Sequence, residues 1–508
     1  MFNSQSDRKI PILMGTQHPD NAGVPFWSDD AFINTKQEAE EIYRSFFEVG
    51  CDEYMWDWEG KFADEAMIEK LLSEYFDEFK KTQIGRDQFV TLRIPNVWEE
   101  KTFKLARAYM SVLSAGEFVK SLGLHVPPVF ELILPMTKTA DQLLHIQDTF
   151  RRTARVHEEI FDEDRFGDGY VHIIPLFESV DDLTGAAGVL REFLEVHKER
   201  WGFLPPYLRV FIARSDPALN AGFVPAMLAT RMALREFYRI GEEFGIPVYP
   251  IVGTGSLPFR GGINPENIKH SLKQYEGVKT ITIQSAFRYD YPLEQVRDAL
   301  SFIRETCENV SPVRFSDEEF SGLREVNSVF KDFYSGTINK FAPLINDMAK
   351  FVPSRRERVQ HVGLFGYSRG VGDVTLPRAI KFTAACYSLG VPPEFIGTGR
   401  GLKAARDAGQ LDLIKNHFFT LVWELIHAGK FLNMENLEMF AREGESWAQD
   451  VLEDVRLCEE VLGVEFKPQK DHHYLHRNVT SNIVLKKKIG EDFQDDLLEA
   501  AKLRKSLG

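Results

Sequence analysis

LRVFIARSD at residues 208–216, ALNAGFVPAMLATRMALREFYRIGEEFG at 218–245 and PVYPIVGTG at 247–255 read as strand, helix, strand. The two short pieces are apolar on both faces, which a half-exposed antiparallel sheet would not tolerate, and the longer piece carries the apolar spacing of an amphipathic helix. A crossover of that length implies parallel pairing. Outward from this unit the alternation recurs. YMWDWE (54–59), FVTLRIP (89–95), VFELILP (129–135) and VHIIPLFE (171–178) precede it, and KTITIQSA (279–286) and HVGLFGYSR (361–369) follow. Eight consecutive units, with no glycine-rich dinucleotide turn after the first strand, favour closure into a (β/α)8 TIM barrel over an open doubly wound sheet. Residues between about 290 and 360, separating the seventh and eighth of these strands, read as additional helices, as do those beyond about 377. The expectation is a single domain over 1–508, with the barrel at about 50–400 and a helical C-terminal elaboration at about 400–508. Within the latter, QKDHHYLHRNVTSN (469–482) has loop composition, and KKKIGEDFQDDLLEAAKLRKSLG (486–508) resembles a solvated helix.

With 508 residues, 44% of them apolar, the chain can bury a large core. A formal charge of −15 disfavours nucleic acid and anionic lipid as partners, so an anion would have to be held by locally gathered Arg and Lys. Cys51, Cys307, Cys386 and Cys458 form no CxxC pair and no disulfide framework, and read as buried thiols. No apolar run approaches the ~20 residues of a membrane span, and MFNSQSDRKIPILMG has none suited to a signal peptide. A cytoplasmic protein with no membrane partner is expected.

Barrel chemistry sits at the C-terminal ends of the strands. The ends read here are unusually polar: Asp57 and Glu59, Arg93, Glu178, Arg214 and Asp216, the segment Gly253 to Arg260, Gln284 and Arg288, and Arg369. Glu178 and Asp216 close neighbouring strands and could share a hard cation such as Mg2+, or each could pair with an arginine such as Arg209 or Arg214. Asp57 and Glu59 could cap a helix or hold an arginine. In GTGSLPFRGG (253–262), glycines let backbone N–H groups approach an anion, Gly253 and Ser256 are candidate contacts, and Arg260 offers a two-pronged fork; ordinary loop closure needs similar residues. GYSRGVGDVTLPRA (366–379) adds Arg369 and Arg378. Singly, an arginine is more often a surface ion-pair partner. Jointly, Arg93, Arg260, Arg288, Arg369 and Arg378 suggest a polyanionic substrate. His18 in TQHPDN (16–21) is structural or catalytic, and its surroundings alone do not decide.

Together TQHPDN, PLFESVDDL (175–183), RSDPALNAG (214–222), GTGSLPFRGG, QSAFRYDY (284–291) and LPRAI (376–380) resemble the ordered motifs of the archaeal-type phosphoenolpyruvate carboxylases, from about residue 12 to 399. The resemblance implies formation of oxaloacetate and phosphate from phosphoenolpyruvate and bicarbonate, through carboxyphosphate and an enolate, for the supply of four-carbon acids. It implies Mg2+, or Mn2+ in its place, on Glu178 and Asp216, and chemistry at His18. Arg260, Arg369 and Arg378 match residues that bind substrate and intermediate, Arg93 matches a substrate-side arginine, and a homotetramer is expected. The chain departs from the larger enzymes of the family where Leu219 and Asn220 stand in place of a metal-adjacent lysine, and where Thr254 or Gly255 replaces a first loop arginine. The rival readings are a magnesium-dependent lyase acting on pyruvate or oxaloacetate, and a non-catalytic metabolite-binding protein on the same fold.

Overall fold

The computed structural model describes residues 9–60, 63–100, 103–161, 169–356, 370–371 and 374–508. Eight parallel strands form a closed barrel: β1 Leu13–Thr16, β2 Glu53–Asp57, β3 Phe89–Arg93, β4 Glu131–Leu134, β5 His172–Phe177, β6 Leu208–Ala213, β7 Val248–Gly253 and β8 Thr280–Ile283. The barrel is as expected, but its roster shifts by one. The ring closes through β1, which pairs with β2 at Gly15↔Tyr54 and with β8 at Gly15↔Ile283. All eight places are therefore taken by other segments than HVGLFGYSR (361–369), which lies outside the described residues. The helices Leu293–Cys307 and Asp317–Met348 consequently follow the strand that closes the barrel.

The alternation along β6 explains how one strand serves two cores. Arg209, Phe211 and Ala213 face the barrel axis, where Phe211 and Ala213 join Met14, Met55, Ile133, Ile174, Leu176 and Ile251 in an interior plug. Val210 and Ile212 face outward into the core shared with the surrounding helices. That outer core is continuous from Ile12 to Leu507, so the late helices are cemented to the barrel. At the closed end of the barrel, Arg209 bonds Glu53 and Glu131 at 2.6–2.8 Å, with all three side chains buried.

One stretch expected to be a loop is helical. Residues 469–482 fall mainly in the helix Asp471–Ile489, whose buried face is His473, His476, Thr480, Ile483 and Val484. Those positions follow a helical period, but histidine and threonine stand where aliphatic residues would have signalled it. The helix Gln494–Leu503 buries Leu497, Ala500 and Ala501, so it is docked on one face.

Candidate active site

A cavity of about 430 Å³ opens at the C-terminal ends of the strands. Its acidic groups come from strand ends: Asp57 at the end of β2 with Glu59 just beyond, Glu178 after β5, and Asp216 after β6. Its basic groups include Arg93 at the end of β3 and Arg355, Arg378 and Lys381 from the chain beyond the barrel.

His18 stands on the turn that leaves β1, half-buried in the cavity wall, with Nδ1 3.0 Å from Thr16 Oγ1. Glu178 is anchored by the Met136 N–H, which donates to Oε2 at 2.8 Å. Asp216 lies in the first turn of the helix Ser215–Ala221, reached directly from β6. Because β5 and β6 are adjacent, both carboxylates line one cavity. Among the described residues no larger group of His, Cys, Asp or Glu forms a metal site. A two-carboxylate donor set fits Mg2+, which takes oxygen ligands and keeps its other positions for water or substrate.

Asp57 and Glu59 hold an arginine. Arg93 donates through Nε and Nη2 to Asp57 at 2.9 and 2.6 Å, and its Nη1 lies 2.9 Å from Glu59 Oε2. Burial pushes the nearby Glu100 carboxyl up to about 7, with Glu59 and Asp57 adding to the rise. Arg93 lines the cavity, with its guanidinium fixed by two carboxylates.

The glycine loop differs from the expected anion cradle. The N–H groups of Thr254, Gly255, Phe259, Arg260, Gly261 and Gly262 all donate to protein acceptors. Glycine is needed for closeness: a Cβ on Gly255 would come within 2.8 Å of the Arg260 guanidinium, and Gly261 has φ of 115°. The loop thus serves to seat Arg260, which donates to Ser215 Oγ at 3.1 Å, Asp20 Oδ2 at 3.0 Å, Gly508 O at 2.6 Å and Gln284 Oε1 at 2.6 Å. Burial raises the Asp20 carboxyl, while the Arg260 guanidinium pulls it back. Gly253 and Arg260 line the cavity. Ser256 does not: it is buried behind the loop, where Leu257 packs with Tyr387 and Phe431.

Arg288 is also displaced from its expected role. It is fully buried outside the cavity wall, bonding Thr16 O at 2.6 Å, Glu41 at 3.0 Å and the Ser45 hydroxyl. Burial would raise the Glu41 carboxyl, but Arg356 and Arg288 hold it down at about 2. Arg288 therefore braces the end of β1 from behind, two residues before His18. Arg369 lies outside the described residues.

Arg378 reaches the cavity, joined by Lys381 and Arg355, which the sequence reading missed. Lys381 sits three residues after Arg378 at the start of the helix Ala379–Ser388, a spacing that could have revealed it. Arg355 lies in SRRER (354–358), which reads as an ordinary solvated run. Its guanidinium instead donates to the carbonyls of Asn21 and Ala22 at 3.0 Å, gripping the turn beyond His18.

The family model described as phosphoenolpyruvate carboxylase matches residues 10–508. The phosphoenolpyruvate carboxylase of Leuconostoc mesenteroides is 41% identical over 94% of this chain and 95% of its own. That of Oenococcus oeni is 40% identical over 99% of both chains, and that of Pyrococcus abyssi 36% identical over 98% of this chain and 100% of its own. Likeness of this extent spans the barrel, the cavity and the late helices together. The chain belongs to the phosphoenolpyruvate carboxylase family, in its compact archaeal-type branch.

Proposed function

We infer that the cavity converts phosphoenolpyruvate and bicarbonate into oxaloacetate and inorganic phosphate. The observation that carries this reading is the meeting of Glu178, Asp216, His18 and Arg378 in one cavity at the barrel mouth. Bicarbonate oxygen attacks the phosphorus, forming carboxyphosphate and releasing the enolate of pyruvate. Arg378, with Lys381 and Arg355 beside it, stabilises the charge on the transferring phosphoryl group. Arg93 sets the substrate-side wall, held in place by Asp57 and Glu59. Glu178 and Asp216 would hold Mg2+, or Mn2+, which supplies Lewis-acid stabilisation of developing negative charge.

His18 then takes the carboxyl proton of carboxyphosphate, which breaks down to carbon dioxide and phosphate. Carbon dioxide and the enolate combine while held side by side, and water must be kept away because it would protonate the enolate to pyruvate. The product supplies four-carbon dicarboxylic acids, and the chain works as a single catalytic unit in a homotetramer, which light scattering would weigh.

The test is an assay with phosphoenolpyruvate, Mg2+ and labelled bicarbonate, following oxaloacetate and phosphate in parallel. Equal and bicarbonate-dependent release of both is expected. No label in product from folded, metal-supplied protein would overturn the reading and bring forward a lyase acting on oxaloacetate.

A further inference from the structure

Asp20 closes the turn TQHPD and is fully buried. Its two carboxylate oxygens meet donors from different elements. Oδ2 accepts from Arg260 Nη1 at 3.0 Å, and Oδ1 accepts from the Ala286 N–H at 2.7 Å, at the start of the helix Ser285–Tyr289. Its backbone N–H donates to His18 O at 3.1 Å, and its carbonyl accepts from the Leu507 N–H at 2.7 Å. Arg260 passes the connection on to Ser215, the residue before Asp216, and to Gln284 after β8. An unbroken path of bonds thus runs from the His18 backbone through Asp20 and Arg260 to the end of β6.

We propose that Asp20 is a positioning residue that, through Arg260, fixes the His18 turn against the strand end bearing Asp216. The proposal rests on the carboxylase reading above and on the role given there to His18. The His18 ring is bonded to Thr16, but Thr16 belongs to the same length of chain, so that bond does not set the distance from His18 to β6. Asp20 reaches across through Arg260 to Ser215, while the Ser285 N–H, 3.4 Å from His18 O, and Arg355 hold the same turn from other sides. Arg260 engages Asp20, Ser215, Gln284 and Gly508 O at once, which only a planar fork with several N–H groups can do. Asp20 is its carboxylate counterion in this network, and both side chains are buried. Breaking such a pair on one side leaves an uncompensated charge in the interior.

In D20N the amide has one acceptor where two donors, Arg260 Nη1 and the Ala286 N–H, must be met. In either orientation an N–H faces an N–H, and the turn must shift. Misplacement of a reacting group by about 1 Å costs about 10²-fold in rate. The expected result for D20N is therefore a fall of about 10²-fold in oxaloacetate formation with a smaller fall in bicarbonate-dependent phosphate release. The phosphate-to-oxaloacetate ratio rises above one and pyruvate makes up the difference. Partial unfolding would lower both products equally and leave the ratio at one. R260K provides a second variant should D20N fail to fold: it keeps a charge to pair with Asp20 but cannot also hold Ser215 and Gln284, and the same rise in ratio is expected. H18N, assayed beside them, separates the two claims. If H18N uncouples while folded D20N or R260K keeps a ratio of one, the positioning role is overturned and the reading of His18 stands. If H18N itself keeps a ratio of one, the reading of His18 is overturned and the role of Asp20 falls with it.

Discussion

Arg209 and Arg260 occupy opposite ends of the barrel, and the contrast shows what a buried charge does in each place. Arg209 has Glu53 and Glu131 on its two guanidinium edges, and all three side chains are buried. Replacing it with methionine would leave two carboxylates facing each other in the interior, a change that costs about 3–5 kcal/mol. A markedly lower urea midpoint is expected for R209M, and recovery of most of the loss in R209M/E53Q/E131Q; an unchanged midpoint in R209M would mean that the triad contributes nothing. At the open end, E178A and D216A should each weaken Mg2+ binding at least tenfold, read by titration calorimetry without substrate. Unaltered binding in either variant would remove that residue from the metal site. The residue types were legible in the sequence because acids and arginines at strand ends are conspicuous there. Their pairings were not. Nothing in the spacing of Arg288 reveals that Glu41 and Thr16 O draw it behind β1, or that Leu257 carries Ser256 out of the cavity wall.

Elements were legible where their burial is of one kind. β5 to β7 are largely apolar on both faces and stand out, whereas β1 is four residues long, LMGT, and merges with the stretch around it. The helix Asp471–Ile489 was hidden by the polarity of its buried face. Buried polar faces also support the glycine loop from beneath. Glu394, in the turn Pro393–Phe395, accepts from the Phe259 N–H at 2.8 Å, and Glu424, in the helix Leu421–Gly429, lies below Gly262. Burial raises the Glu424 carboxyl to about 8, against the pull of the Thr420 hydroxyl and Arg214, with Glu394 adding to the rise. A carboxyl raised on folding is harmless below its unfolded value near 4.5; stability is then lost as pH climbs towards 8 and levels off above it. E424Q, which cannot ionise, should match the wild type near pH 4.5 and exceed it at pH 8 by roughly 1–4 kcal/mol. Parallel stability curves for the two proteins between those pH values would show that Glu424 is charged throughout.

At the scale of the whole molecule, the cavity draws its wall from segments as far apart as Gln17, Glu178, Arg260, Lys381 and Leu507. Among the described residues only Arg214 and Asp216 set a basic and an acidic lining group within one short stretch; Glu178, Arg93, Arg355 and Arg378 come from separate ones. The basic groups, moreover, gather inside a chain with formal charge −15, so the attraction for an anion is a property of the folded assembly and not of the sequence at large. A ligand that binds only the folded state stabilises it by about 2.7 kcal/mol at one hundred times its dissociation constant. Inorganic phosphate with Mg2+ should therefore raise the melting temperature of the wild type in a saturable way. R378Q should lose most of that shift, because Arg378 lines the cavity, whereas R209M should keep it, because Arg209 lies at the closed end. In urea, phosphate binding and helical circular dichroism should disappear at the same midpoint, since the late helices share one apolar core with the barrel and help to complete the cavity wall. If phosphate binding vanished at a lower urea concentration than the helical signal, the segments beyond the barrel would be separable from it, and the cavity would depend on their docking as a distinct step.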